Sequence, residues 1–152
     1  MSLRLLELLS LPRKLARWAV DLLQEFARGS AGRALPTRKP FDRYLYTRHP
    51  ESKPCTLSTP AGQYVYVQDA GGVVWVAPDG PHQHPRVLGN AFPAAAAGEL
   101  TLGEESRVVE VNNLSGTFRL GPETLDPVVQ ALRDMGWDVP ADAIRRYPED
   151  VL

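Results

Sequence analysis

Three groups of residues carry the side-chain types that chemistry needs. His82 and His84 stand two apart. On an extended strand such residues share a face, so two imidazoles could chelate a metal ion. A third ligand would have to come from His49, Asp79 or Glu99. No recognised zinc spacing accompanies the pair, so the reading adopted is a proline-flanked loop with two histidines, no metal and no cofactor. Glu99 follows Gly98 at the end of an alanine run, where a strand is expected to be largely covered. Burying an isolated charge is expensive, so such a carboxylate needs a partner. Arg119 is the opposite charge expected nearest to it, in a structural ion pair; a general acid or base is the alternative.

The third group is a polar hook, Asn112-Asn113-Leu114-Ser115-Gly116-Thr117. Asn and Ser side chains bond local backbone groups, and a glycine permits a turn with exposed amides. Asn112, Asn113, Ser115, Gly116 and Thr117 are therefore the candidate ligand-binding residues, able to hold an anion or a ligand hydroxyl. The same residues also suffice to build a turn, with Gly116 expected in a backbone conformation that a side chain disfavours. Ser115 with His84 makes half of a nucleophilic pair, but no G-x-S-x-G elbow is present. If the chain were an enzyme, its catalytic set would be His84, Glu99 and Ser115.

These residues must be positioned by the elements around them. Gln63–Gln68 and Val73–Ala77 are rich in β-branched and aromatic residues, and Asp69-Ala70-Gly71-Gly72 joins them as a tight turn. Tyr64, Tyr66 and Gln68 fall on one face, Val65 and Val67 on the other. A second hairpin is expected from Ala95–Leu102 and Arg107–Asn112, turning at Gly103–Ser106. The four alanines Ala94–Ala97 suggest close approach of another backbone or of the C-terminal helix. That helix is Thr124–Met135, with Leu125, Val128, Val129, Leu132 and Met135 at helical spacing. Thr124 is the expected N-cap and Gly136 the expected C′ residue. A short edge strand is expected within Ala143–Tyr147. The fold class is α+β: a small antiparallel sheet of two hairpins with a packed C-terminal helix.

Ahead of this body, residues 1–28 read as an amphipathic helix, with Leu5, Leu8, Leu9, Leu15, Ala16, Ala19, Leu22, Leu23 and Phe26 on one face. Pro12 breaks or kinks it. Residues 29–61 read as a basic, proline-rich connector punctuated by Pro36, Pro40, Pro50, Pro54 and Pro60. The α+β domain then spans 62–152. Charge is uneven: residues 1–60 hold 11 Lys and Arg against 5 Asp and Glu, and residues 61–152 hold 6 against 13, so +6 and −7 give the net −1. A basic arm beside an acidic body either packs on it or meets an anionic partner. Aromatics interleave with the basic residues, but no nucleic-acid motif accompanies them, so a protein is the expected partner.

The single cysteine, Cys55, excludes an internal disulfide. No run approaches the ~18 apolar residues of a membrane span. The leucine-rich N-terminus carries Arg4 and Glu7 and lacks a small-residue cleavage site, so no secretory signal is expected, and the location expected is cytoplasmic.

The order of His84-Pro-Arg-Val-Leu-Gly89, Ala95-Ala-Ala-Gly98-Glu99, Val111-Asn-Asn-Leu-Ser-Gly-Thr-Phe118, a helix and a Gly136-Trp137 turn resembles a domain of plant IQ-motif calmodulin-binding proteins, also present in bacterial proteins of unassigned role. The likeness covers about Gln63 to Tyr147. In that pattern the hook reads serine-glycine-histidine-tyrosine, and this chain has Thr117 and Phe118 at the last two places. Any acid–base work of that histidine and tyrosine is therefore not expected here. The chain carries no IQ helix, so calmodulin binding does not carry over. The resemblance implies the fold and, by analogy with the bacterial members, an accessory, toxin-associated or immunity-type role.

Overall fold

The computed structural model describes residues 46–148 apart from His82, Ala91 and Arg119. The expected N-terminal helix, the first part of the connector and the boundary at residue 28 lie outside the described residues. The elements are β1 Lys53–Pro54, β2 Gly62–Gln68, β3 Val74–Pro78, α1 His84–Val87, β4 Ala96–Leu102, β5 Val108–Asn112, α2 Leu125–Asp134 and β6 Ile144–Arg145. They build one six-stranded sheet in the order β1-β3-β2-β4-β5-β6.

The two hairpins form as their residue types dictate. Asp69 closes the first turn by accepting from Gly71 N, Val73 N and, at 3.0 Å, the Trp75 indole. In the second turn Glu105 and Ser106 both take φ 56, the paired left-handed residues of a primed hairpin turn. Neither is glycine, so the turn is strained, and its backbone is held from outside: Asp138 N donates to Ser106 O, and Val108 N to Asp138 O.

The sheet is larger than two hairpins and is mixed, not antiparallel. β6 joins β5 in parallel at Val111↔Ile144 and Asn112↔Arg145, giving the expected edge strand near the C-terminus a pairing that the pattern of residues did not reveal. At the opposite edge β1 pairs with β3, with Cys55 N donating to Val74 O at 2.8 Å. Pro54 has no N–H and is tolerated because the strand is an edge. The segment before β2 is thus no free connector over residues 46–61. Asn90 N donates to Tyr46 O and His49 N to Arg86 O, and Cys55 is buried.

Strand alternation sorts the core onto two faces. On one, Tyr66, Val76, Leu100 and Val111 cluster with Leu125, Val128, Leu132 and Trp137 of α2 and its C-terminal turn. On the other, Val65, Val67 and Ala97 cluster with Val87 of α1 and with Phe118. Ala96 and Ala97 therefore serve opposite faces. α2 ends as expected: Gly136 takes φ 104, its N–H reaches Arg133 O, and Trp137 N reaches Leu132 O at 3.0 Å, the two bonds of a Schellman motif. Its start differs. Pro122–Thr124 form a 3-10 turn, so Thr124 is already helical and its hydroxyl donates to Gly121 O instead of capping. Proline favours a helical start, which moves the entry three residues earlier.

Leu132 is fully buried in the α2 cluster. Leu132→Ala is expected to cost about 2–5 kcal/mol, read as a lowered melting temperature. An unchanged melt would contradict this packing.

Candidate functional site

The sheet gives the hook its position. The β4–β5 ladder ends at the Leu100↔Val111 pair, so the Glu99 N–H has no backbone partner on β5. The Asn112 side chain replaces it. Its Oδ1 accepts from Glu99 N and Leu114 N, each at 3.0 Å, and its Nδ2 donates to Glu99 Oε2 and Glu110 Oε1, also at 3.0 Å. All four hydrogen-bonding positions of one buried amide are used. The Asn112 carbonyl accepts the buried Tyr66 hydroxyl at 2.7 Å, and burial raises that phenol's pKa, so the donor stays protonated.

Asn113, also buried, clamps the chain at Tyr147. Its Oδ1 accepts from Tyr147 N at 2.8 Å, and its Nδ2 donates to Tyr147 O at 2.9 Å and Leu120 O at 3.2 Å. It behaves as a side-chain imitation of a strand partner just beyond β6. Ser115 is buried, and its Oγ accepts from Thr117 N and Phe118 N at 3.3 and 3.1 Å. Thr117 is buried and Gly116 exposed.

Gly116 departs from expectation. It is not among the positive-φ glycines, and a Cβ built on it would meet nothing within 4 Å. Ser115 Oγ closes the turn, so left-handed backbone is not needed. Gly116→Ala is expected to change stability by less than about 0.5 kcal/mol. Ser115→Ala, which leaves two buried N–H groups without their acceptor, is expected to cost about 1–3 kcal/mol. Urea unfolding of the pair measures both, and a larger loss for Gly116→Ala would overturn the assignment.

His84 opens α1, and its Nε2 lies 2.8 Å from Gly98 O. A carbonyl only accepts, so Nε2 carries the proton and Nδ1 is the basic nitrogen. Burial lowers the His84 pKa; the Gly98 carbonyl, Glu99 and Asp79 oppose that shift without cancelling it. His82 lies outside the described residues. His49 Nδ1 accepts from Glu51 N at 3.0 Å. Among the described residues no group of three His, Cys, Asp or Glu is arranged to hold a metal ion.

Glu99 is exposed, not covered. It projects to the face opposite α2, paired with Val65 of β2. With Gln63, Tyr64, Asp79, Thr101 and Glu110 it lines an open concavity of about 250 Å³. Its observed side-chain partner is the Asn112 amide; Arg119, expected as its counter-ion, lies outside the described residues. Arg145 pairs instead with Glu110 at 3.3 Å.

No hydrogen bond joins any two of the His84, Glu99 and Ser115 side chains. His84 bonds the β4 backbone, Glu99 bonds Asn112, and Ser115 bonds its own loop. Three participants were not singled out from the sequence: Tyr66 as a donor, Glu110 as the second carboxylate on Asn112, and Gly98 as a pinch point. A methyl on Gly98 would overlap the Asn112 carbonyl oxygen and stand 2.7 Å from its carbon and 3.0 Å from Asn113 Cα. The alanine run leading into Gly98 was the available signal for that contact.

No family model, curated protein or solved structure matches this chain.

Proposed function

We propose that this chain is a non-enzymatic protein-interaction or accessory module. A rigid α+β body carries an N-terminal segment that meets another protein. One observation carries the reading: the polar side chains best placed for chemistry are occupied by bonds within the body, and no hydrogen bond joins any two of the three candidate catalytic groups. The +6 charge of residues 1–60 supplies the second element, a basic segment suited to an acidic protein surface. Among the described residues no helix is long and apolar enough to cross a membrane. The resemblance to bacterial proteins of unassigned role supports an accessory, toxin-associated or immunity-type setting, by analogy.

The alternative is a small enzyme or ligand-binding domain using the 82–84 loop and the 112–117 hook. The open concavity beside Glu99 favours it. The two readings separate on truncation. Residues 46–148 hold both apolar clusters, so a chain lacking residues 1–28 is expected to stay folded and keep its melting temperature. It is also expected to lose the partner captured by the full chain from its native host. An unfolded truncated chain, or one that keeps the partner, would defeat the module reading.

A further inference from the structure

We propose that Asp79 is a site of spontaneous backbone rearrangement: its carboxyl closes on the Gly80 amide, and the five-membered imide reopens to leave an isoaspartyl linkage between β3 and α1. Asp79-Gly80 is the one Asp-Gly pair of the sequence, and no Asn-Gly pair is present. Glycine sets no Cβ beside the attacking nitrogen. The pair lies between Pro78, where β3 ends, and His84, where α1 begins, outside any strand or helix. Asp79 is exposed. Gly80 N donates to Asp79 Oδ1 at 2.8 Å, and among the described residues no backbone carbonyl accepts from it. The nitrogen is therefore not held in a ladder and rests against the carboxyl that it attacks. The Asp79 N–H donates to Gln63 O at 3.3 Å, which keeps the residue at the sheet while its side chain turns in solvent.

The step needs no reagent but water. Gly80 N attacks Asp79 Cγ, a C–N bond forms, and the carboxyl hydroxyl leaves as water with the amide proton. Water then adds to one of the two imide carbonyls. Opening at Cγ restores aspartate; opening at the main-chain carbonyl routes the chain through Cβ and Cγ and frees the α-carboxylate. The residue keeps its single negative charge, and the link between β3 and α1 gains one methylene beside the concavity that Asp79 lines with Gln63 and Glu99. The other described aspartates lack this arrangement. Asp69 spends its carboxylate on Gly71 N, Val73 N and the Trp75 indole, and is followed by alanine. Asp126 precedes Pro127, which has no N–H. The amides after Asp134 and Asp142 are bound elsewhere, Met135 N to Ala131 O and Ala143 N to Pro140 O. Asp138 precedes the β-branched, buried Val139.

The test is to age the full chain in its folded state and, in parallel, unfolded in urea, then map the peptides. The probe is isoaspartyl methyltransferase with labelled S-adenosylmethionine, which methylates the freed α-carboxylate. In the folded chain most of the label is expected on the peptide holding Asp79, as a second chromatographic form of unchanged mass. A form lighter by one water is expected to precede it. Folding is expected to leave the rate at Asp79 near its unfolded value while slowing Asp69, Asp134, Asp138 and Asp142. Asp79→Glu, which would have to close a six-membered ring, is expected to lose that label and keep the melting temperature. Label spread evenly over the aspartates, a rate at Asp79 that collapses on folding, or full label in Asp79→Glu would each overturn the proposal. If Asp79→Glu fails to fold, the folded and unfolded native chains decide alone.

Discussion

Gly98→Ala is expected to remove a large part of the protein's stability. Overpacking a core by a methyl group commonly costs 1–3 kcal/mol because side chains can move aside. Here the obstacle is backbone. The new Cβ would overlap the Asn112 carbonyl and stand 3.0 Å from Asn113 Cα. Neither residue can yield freely. Asn112 is held by Tyr66 and by both ends of its amide, and Asn113 by Tyr147 and Leu120. Gly98 is itself paired with Tyr66 on β2, so β4 has no free side to retreat toward. A cost above about 3 kcal/mol is expected, a large part of the roughly 5–15 kcal/mol that stabilises a typical domain. Urea unfolding measures it, and a cost under about 1 kcal/mol would mean that β4 and the hook are not in contact.

Asn112→Ala carries the second largest effect. It removes four hydrogen bonds from a residue with no exposed surface. The N–H groups of Glu99 and Leu114 lose their acceptor, and an unsatisfied buried group costs about 1–3 kcal/mol. A total of about 3–5 kcal/mol is expected. Asn112→Asp tests the amide's orientation. It preserves the acceptor for both N–H groups but sets a carboxylate oxygen where Nδ2 now meets Glu99 Oε2 and Glu110 Oε1. Three carboxylates cannot all ionise cheaply at that spacing. The variant's stability relative to the native chain is therefore expected to fall as pH rises through the carboxylate range. A deficit that is constant from pH 4 to 8 would show that Nδ2 does not bridge the two glutamates.

Local pattern revealed the parts of this fold that depend on local pattern. The 62–78 hairpin, the apolar stripe of α2 and the glycine at its C-terminus each follow from period and cap chemistry within a dozen residues. The pairings that make the sheet six-stranded do not. β1 and β6 are two residues each, too short for any period, and both are fixed by partners distant in the chain. The hook was legible as a polar turn, but its mechanism was not. A glycine beside a serine invites a positive-φ reading, whereas here the serine oxygen closes the turn and Gly116 is ordinary. Glu99 was expected to be covered because small residues precede it. Strand alternation turns it away from α2, and on the other face it lies exposed in an open concavity.

The central claim is that the hook holds the body together while recognition resides in the N-terminal segment. Measuring stability and partner retention together, on Ser115→Ala and on the chain lacking residues 1–28, tests it most directly. The account predicts opposite losses. Ser115→Ala loses about 1–3 kcal/mol but retains the partner at temperatures where it is folded. The truncated chain keeps its melting temperature and loses the partner. If Ser115→Ala instead keeps full stability and loses partner, ligand or activity, the hook is a site and the account is wrong.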